Sequence, residues 1–162
     1  MNMVQKALEI AIKAHKGQID KAGKEYILHP IMVALMVCTN EEKQVALLHD
    51  VIEDTKISIE DLRKEGFNGK ILDAITAITK NKNENYDQYL DRVIKNNIAT
   101  NVKLADMHHN SDINRYENPT IEDKKRSESY FLKTKKLLLK IEKNKNKWGK
   151  LKWAIVLYVV EN

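Results

Sequence analysis

Apolar side chains recur at three- and four-residue spacing along most of the chain, which is the periodicity of helices with one buried face. The first such segment covers residues 3–15 and ends at Gly17. Its apolar positions are Val4, Ala7, Leu8, Ala11 and Ile12. An alternating strand pattern competes only in the β-branched stretch "AIVLYVV" near the C-terminus. The pattern therefore predicts an all-α fold, a compact multi-helix bundle.

Polar residues with capping chemistry mark where several helices begin. A polar loop ends at His29-Pro30, and proline suits a first helical turn, so a helix is predicted from Pro30 to about Cys38. Three later pairs have the three-residue spacing of a capping box: Thr39 with Glu42, Asn85 with Gln88, and Thr120 with Asp123.

These three pairs predict a helix through about Asp54, a second over "NENYDQYLDRVIKN" and a long third one towards Lys143. Between them, Ser58 begins a short helix that stops at Gly66, and "NGKILDAITAITK" is helical. Residues 98–112 complete the set of predicted helices.

Composition indicates one globular domain. The 162 residues suffice for a hydrophobic core, and the counts of five Gly and two Pro favour helices over turn-rich structure. We expect residues 1–132 to form the body and residues 133–162 a Lys-rich helix end with an apolar tail. The single cysteine excludes an internal disulfide and fits a reducing compartment. No signal peptide is recognised, and the tail's eight apolar residues are fewer than the ~20 needed to cross a bilayer, so we expect a cytoplasmic protein without a membrane span.

The net charge of +5 is concentrated in the C-terminal part. Residues 133–162 hold nine Lys and two Glu, a net of +7, whereas the other 132 residues carry 19 basic and 21 acidic side chains, a net of −2. A lysine run on a helix is most often a solvated face, so we do not expect nucleic-acid binding. The apolar segment 153–160 could pack on the body, pair with a second copy in a homodimer, or associate as a strand.

The stretch "VALLHDVIEDT" carries the first candidate chemistry. His49, Asp50, Glu53 and Asp54 occupy one arc of a helix whose other side is apolar. Three carboxylates within five residues repel one another, and a bound cation would turn that repulsion into attraction. The alternative is an acidic, solvated helix end with an ordinary hydrogen-bonded histidine. This stretch alone does not decide between the two.

Two other segments supply further ligand chemistry. His29 precedes Pro30 at a predicted helix N-terminus, where the helix dipole favours a neutral imidazole, although a lone histidine there is often a cap or core residue. Asp106 lies in the apolar context "VKLADMHHN", with Asn110 one turn later on the same face. Two imidazoles and two carboxylates, from His29, His49, Asp50 and Asp106, suit Mn²⁺, Fe²⁺, Zn²⁺ or Mg²⁺.

In this order the motifs "HP", "HDVIEDT" and "KLAD" followed by "HN" resemble those of the HD-domain phosphohydrolases. Within that superfamily, residues 3–115 are similar to the stand-alone hydrolase domain of the RelA/SpoT type. The resemblance implies an HD-domain bundle and an enzyme, a metal-dependent phosphohydrolase that removes the 3′-pyrophosphate from the guanosine alarmone (p)ppGpp. It implies Mn²⁺ as the cofactor, with Mg²⁺, Fe²⁺ and Zn²⁺ as alternatives.

Roles follow from the resemblance position by position. The implied metal ligands are His29, His49, Asp50 and Asp106. Glu53 and Asp54 match the acidic pair that orients or deprotonates the attacking water. The implied contacts to the nucleotide substrate are Lys21, Tyr26 and Asn110. Lys24 and Lys103 could also meet phosphate charge.

The chain departs from the alarmone-hydrolase pattern at two positions. Asp20 stands where relatives usually carry an arginine able to stack on guanine, and Asp112 replaces a basic residue just past Asn110. Hydrolysis of another nucleotide or phosphoester is therefore the alternative function, and an inert HD-scaffold binding protein is a third. Of the neighbours His108 and His109, only one can share the face of Asp106, and both are expected beside the ligands or at the surface.

Overall fold

The computed structural model describes residues 2–144, and over that range the all-α prediction is confirmed. The helices are α1 (Met3–Ala14), α2 (Leu28–Leu35), α3 (Asn40–Leu48), α4 (Val51–Asp54), α5 (Ile59–Lys64), α6 (Gly69–Ile78), α7 (Tyr86–Val93), α8 (Asn97–Ser111) and α9 (Ile121–Lys143). A single 3₁₀ turn, Ile113–Arg115, joins α8 to α9 and was not predicted. No helix of the described range is long and apolar enough to cross a bilayer.

Helices α3 and α8 form the centre of the bundle. Helix α3 packs against α1, α2, α6 and α8, and α8 also contacts α2, α7 and α9. Leu48 and Met107, one from each helix, have no exposed surface. Burial of such side chains is the main stabilising contribution to a fold of this size. Both helices therefore hold their backbones rigidly where the candidate site residues occur.

The three predicted capping boxes are present, at Thr39, Asn85 and Thr120, and a fourth occurs at Ser58. At the start of α3, Glu42 Oε2 accepts hydrogen bonds from the Thr39 and Cys38 amides at 2.8 and 3.0 Å. Its other oxygen accepts from Asn101 Nδ2 at 2.6 Å. Glu42 thus caps α3 and ties it to α8.

The predicted continuous helix through Asp54 is wrong, because α3 ends at Leu48 and α4 begins at Val51. His49 Nδ1 lies 2.7 Å from the Ala46 carbonyl oxygen, the acceptor that the Asp50 amide would use in an unbroken helix. Asp50 has φ −98° and ψ −9°, outside regular helical geometry. The histidine side chain therefore replaces a backbone hydrogen bond and locally interrupts the helix.

One further boundary prediction, for α2, needs correction. Helix α2 begins at Leu28 and ends at Leu35, so Pro30 lies within its first turn and Cys38 beyond its end. Cys38 is exposed. Helix α9 continues through residue 133 without interruption. The apolar segment 153–160 and its predicted homodimer contact lie outside the described residues.

Replacing Glu42 with Gln tests the capping network. Burial opposes ionisation, but the hydrogen bonds from Thr39, Asn101 and Cys38 hold the pKa of Glu42 below its usual value. Because the folded-state pKa is lowered, this stabilisation is present above the unfolded-state value of 4.5 and is lost as pH falls below it. We expect Glu42→Gln to lower the free energy of unfolding by about 1–3 kcal/mol at pH 7 and by less near pH 3, measured by urea denaturation.

The matched control is Glu60→Gln, which removes an exposed carboxylate paired with Arg63 on α5. We expect a change within about 0.5 kcal/mol there. Equal destabilisation by the two substitutions would contradict the role given to Glu42.

Candidate metal centre

Three ligand atoms from separate elements converge between α2, α3 and α8. His29, His49 and Asp106 are buried, and each offers an atom within 4.8 Å of the others. Asp106 Oδ1 lies 3.2 Å from His29 Nε2 and 3.7 Å from His49 Nε2. These atoms could hold a metal ion.

Asp50, the fourth predicted ligand, lies at the edge of this cluster. Its Oδ2 atom is 3.0 Å from His49 Nε2 and 3.6 Å from His29 Nε2. Its side chain is 21% exposed, whereas the side chains of the other three are nearly inaccessible. All four residues are therefore brought together, with Asp50 on the side that faces solvent.

Hydrogen bonding fixes the orientation of His49. A carbonyl oxygen can only accept, so His49 Nδ1 must donate to Ala46, and in the neutral ring the lone pair lies on Nε2. Nε2 is buried and makes no well-aligned hydrogen bond to the described residues. Burial opposes the charged ring, yet Asp50 and Asp106 raise the pKa of His49 well above its usual value. The cluster therefore attracts positive charge at this nitrogen.

His29 is oriented by a residue for which no role was predicted. Its Nδ1 atom lies 2.7 Å from Nδ1 of His109, which is buried one turn after Asp106. One of the two nitrogens must donate and the other accept. If His29 Nδ1 donates, its Nε2 lone pair faces Asp106 and is free to bind a cation. Burial, then Arg115 and His29, lower the pKa of His109 to about 4, which suits the accepting role.

Both oxygens of Asp106 have protein partners. Lys103 Nζ donates to Oδ2 at 2.8 Å, and Asn110 Nδ2 donates to Oδ1 at 2.6 Å. Burial favours the neutral acid, but the Lys103 ammonium and the two histidines hold the pKa of Asp106 well below its usual range. Asp106 is therefore ionised in the core. Lys103 and Asn110, both predicted substrate contacts, donate their hydrogen bonds to it.

His29, Asp50 and Asp106 line a cavity of about 380 Å³, whereas His49 is not among its lining residues. The other lining residues include Ile19, Asp20, Lys21, Tyr26, Glu53, Arg115, Tyr116, Arg126 and Tyr130. A groove of about 440 Å³ between α7 and α9 is lined by three Lys and one each of Glu, Ser, Tyr and Leu, without a histidine or aspartate. The candidate chemistry of the described residues is therefore in the first cavity.

The predicted catalytic pair separates in space. Glu53 is exposed and lines the cavity, and its Oε2 accepts weakly from the Lys80 amide at 3.3 Å. Asp54 is not among the lining residues. Its Oδ2 atom lies 3.2 Å from the Tyr26 hydroxyl, and desolvation of the carboxyl and the charge of Asp50 raise the pKa of Asp54. Glu53 therefore faces the cavity directly. Asp54 contacts Tyr26, which lines the cavity.

Tyr26, a predicted substrate contact, donates a hydrogen bond to one candidate ligand, Asp50. Its hydroxyl donates to Asp50 Oδ2 at 2.6 Å, and the second acceptor is Asp54. Burial and the adjacent carboxylates raise the pKa of Tyr26 far above its usual value, so the hydroxyl remains a donor. Tyr26 therefore fixes the carboxylate of Asp50. Lys21 is exposed at the mouth of the cavity and Lys24 is exposed in the same loop.

Sequence reasoning left the role of His109 open and did not single out Arg115. Its three-residue spacing from Asp106 places His109 near Asp106 on α8. This spacing alone did not show which of His108 and His109 contacts a ligand. Arg115 is the last residue of an unpredicted 3₁₀ turn and pairs with Asp20, 95 residues earlier. No local pattern reports such a pair.

No protein-family model matches the chain. The chain is 46% identical over 79 residues to a guanosine-3′,5′-bis(diphosphate) 3′-pyrophosphohydrolase of Borreliella burgdorferi, covering 46% of this chain and 12% of the relative. It is 34% identical over 115 residues to a protein of the same name from Haemophilus influenzae, covering 62% of this chain and 17% of the relative. The chain thus spans less than a fifth of either relative.

A solved structure also matches over most of both chains. It is described as a metazoan ortholog of SpoT that hydrolyzes ppGpp, and it superposes with a TM-score of 0.70 at 25% identity. The match covers 87% of this chain and 86% of that chain. In sequence and in fold, this chain is therefore similar to the SpoT-type (p)ppGpp hydrolases.

Proposed function

We propose that this chain is a metal-dependent pyrophosphohydrolase that removes pyrophosphate from the 3′ position of (p)ppGpp in the cytoplasm. The observation that carries the proposal is the convergence of two imidazole nitrogens and two carboxylates, three of whose residues, His29, Asp50 and Asp106, line a cavity whose walls carry cations. A volume of about 380 Å³ is within the range of small-molecule sites, about 300–1,000 Å³.

The donor set fits a divalent cation. His29, His49, Asp50 and Asp106 would hold it through two nitrogens and two carboxylate oxygens, a set that suits Mn²⁺, Fe²⁺, Zn²⁺ or Mg²⁺. The buried, unbonded Nε2 of His49 supports the fit, since an unpaired buried nitrogen is otherwise unfavourable. We propose Mn²⁺, as the resemblance implies. When bound, the cation supplies Lewis acidity, which lowers the pKa of a water and offsets phosphoryl charge.

The surrounding residues can orient and move protons. Glu53 is the proposed general base, since its carboxylate lines the cavity and is exposed enough to accept a proton from water. Tyr26 holds Asp50 in one orientation and links it to Asp54. Asp54 therefore acts on the water indirectly, through the position of Tyr26 and Asp50.

Substrate phosphates would meet cations on the cavity wall. Lys21 and Arg126 line it without a bond to the metal ligands, so their charges can face an anion. Lys103 also lines the cavity, but its ammonium donates to Asp106. We therefore assign phosphate binding to Lys21 first. The contributions of Tyr26, Lys103 and Asn110 to substrate binding stay predictions.

The second candidate function is hydrolysis of a different nucleotide or phosphoester. Asp20 favours it, because this acid lines the cavity at a position where the resemblance implies an arginine. Purified chain with Mn²⁺ should be assayed on ppGpp, GDP, GTP and bis(p-nitrophenyl) phosphate, with pyrophosphate and phosphate release measured separately. Pyrophosphate release from ppGpp alone supports the first candidate, and cleavage of the other substrates without ppGpp replaces it with the second. No turnover by the Mn²⁺-bound protein would make it a non-enzymatic scaffold.

Metal binding should stabilise the fold. A ligand that binds only the native state at a hundred times its Kd contributes about 2.7 kcal/mol, or a rise in Tm of about 5–10 °C for a chain of this size. We expect Mn²⁺ to produce this shift in the wild type and not in Asp106→Asn, because the substitution removes a charged ligand. Differential scanning fluorimetry measures it.

Asp73→Asn is the matched control, since Asp73 is an exposed aspartate on α6. It should retain the full Mn²⁺-dependent shift. A shift of the same size in Asp106→Asn would show that the cation binds elsewhere.

Glu53→Gln tests the general base. The amide cannot accept the proton, so kcat on ppGpp should fall by about 10²–10⁴. The Mn²⁺-dependent rise in Tm should remain, because Glu53 is outside the proposed ligand set. Steady-state kinetics beside the melting assay separate the two effects.

Glu128→Gln, an exposed substitution on α9, should leave kcat unchanged. Wild-type turnover by Glu53→Gln would remove Glu53 from the mechanism while leaving the metal site in place.

A further inference from the structure

Arg115 connects the loop before α2 to the end of α8 at the cavity wall. Its Nη2 atom donates to Asp20 Oδ2 at 2.6 Å, and the two side chains are only 12% and 8% exposed. Its Nη1 atom donates to Asn110 Oδ1 and to the His109 carbonyl oxygen, each at 3.2 Å. One guanidinium thus holds two consecutive residues of α8, and each of these contacts a candidate metal ligand.

The contact with Asn110 determines which way the amide faces. Arg115 can only donate, so it must meet the amide oxygen, and this turns Nδ2 towards Asp106. Asp106 can only accept in its ionised form, so the same orientation satisfies both neighbours. Without Arg115 the amide loses the partner that opposes rotation.

The contact with His109 supports the second ligand. His109 is near the end of α8, and its carbonyl oxygen accepts from the Asp112 amide at 3.4 Å and from Arg115 Nη1 at 3.2 Å. The imidazole of the same residue orients His29 through the Nδ1–Nδ1 contact of 2.7 Å. Arg115 therefore fixes the main chain from which this imidazole projects.

Asp20 fixes Arg115 from the opposite side. Its Oδ1 atom accepts from the Ala22 and Lys24 amides at 2.8 and 2.9 Å, which closes the turn containing Gly23. Gly23 has φ +76°, a left-handed conformation that glycine adopts without strain. Asp20 is thus held rigidly by its own loop and presents Oδ2 to Arg115.

We propose that the Asp20–Arg115 ion pair is a positioning element for the metal centre, acting through Asn110 on Asp106 and through His109 on His29. This inference rests on the metal site proposed above. Residues that orient metal ligands from outside the coordination shell typically change metal affinity by about 10–100-fold when they are replaced. A role limited to substrate contact or to packing would leave metal affinity unchanged.

The test is calorimetric titration of Mn²⁺ into metal-free full-length protein. We expect Arg115→Ala to raise the Kd by about 10–100-fold. Asp20→Asn should raise it by a smaller factor, because Arg115 remains but loses its charged anchor. The double variant should match Arg115→Ala alone, since Asp20 acts only through Arg115.

Arg126→Ala is the matched control. Arg126 lines the same cavity, but its side chain donates to Tyr116 and Asp123 rather than to α8, so the Kd for Mn²⁺ should change less than about twofold. Circular dichroism and Tm establish that each variant is folded. If Arg115→Ala fails to fold, the proposal is judged on Asp20→Asn, which leaves the loop's Oδ1 acceptor in place.

The outcomes separate this inference from the proposed function. If the wild type binds no Mn²⁺, the metal site and the inference both fail. If the wild type binds and both Arg115→Ala and Asp20→Asn bind equally well, only the inference fails. A raised KM for ppGpp with an unchanged Kd for Mn²⁺ would make Arg115 a substrate contact instead. Additive losses in the double variant would also overturn the proposed connection.

Discussion

The carboxylate of Asp106 is held in the interior of the bundle, and the geometry of the candidate site depends on how its charge is compensated. A buried carboxylate without partners would take up a proton, but Lys103, Asn110 and two imidazoles surround this one. The two oxygens of Asp106 have different partners. Lys103 takes Oδ2, so Oδ1 is left facing both histidines. One ion pair therefore decides which oxygen is offered to a cation.

The apolar surroundings make this arrangement rigid. Helices α3 and α8 are packed on several sides, so His49 and Asp106 project from backbones that have little freedom to move. The helix interruption after Leu48 also fixes a ligand. His49 donates its Nδ1–H to the Ala46 carbonyl, which directs Nε2 towards the other ligands. Orientation of both ligands is thus achieved within the protein and does not require the cation.

Local sequence signals predicted most of the fold, because capping and periodicity act over a few residues. The Thr120 cap and the long helix it opens follow from nearest-neighbour chemistry, and the clustering of Asp50 with His49 follows from adjacency. The helix interruption was missed because it depends on a side chain replacing a backbone hydrogen bond. The Asp20–Arg115 pair was missed because its members meet only once the bundle has formed.

That pair changes what Asp20 implies about substrate. Considered alone, an acid in place of an arginine argues against a polyanion, because it repels phosphate and offers no planar face for stacking. In the fold, both oxygens of Asp20 are engaged and its charge is offset by Arg115 at 2.6 Å. The cavity wall therefore carries the guanidinium of Arg115, supplied from the α8–α9 connection, and two further cations, Lys21 and the Asp123-paired Arg126. The electrostatic objection to a nucleotide with several phosphates is removed, since repulsion depends on the net charge that faces the ligand and not on the identity of one loop residue.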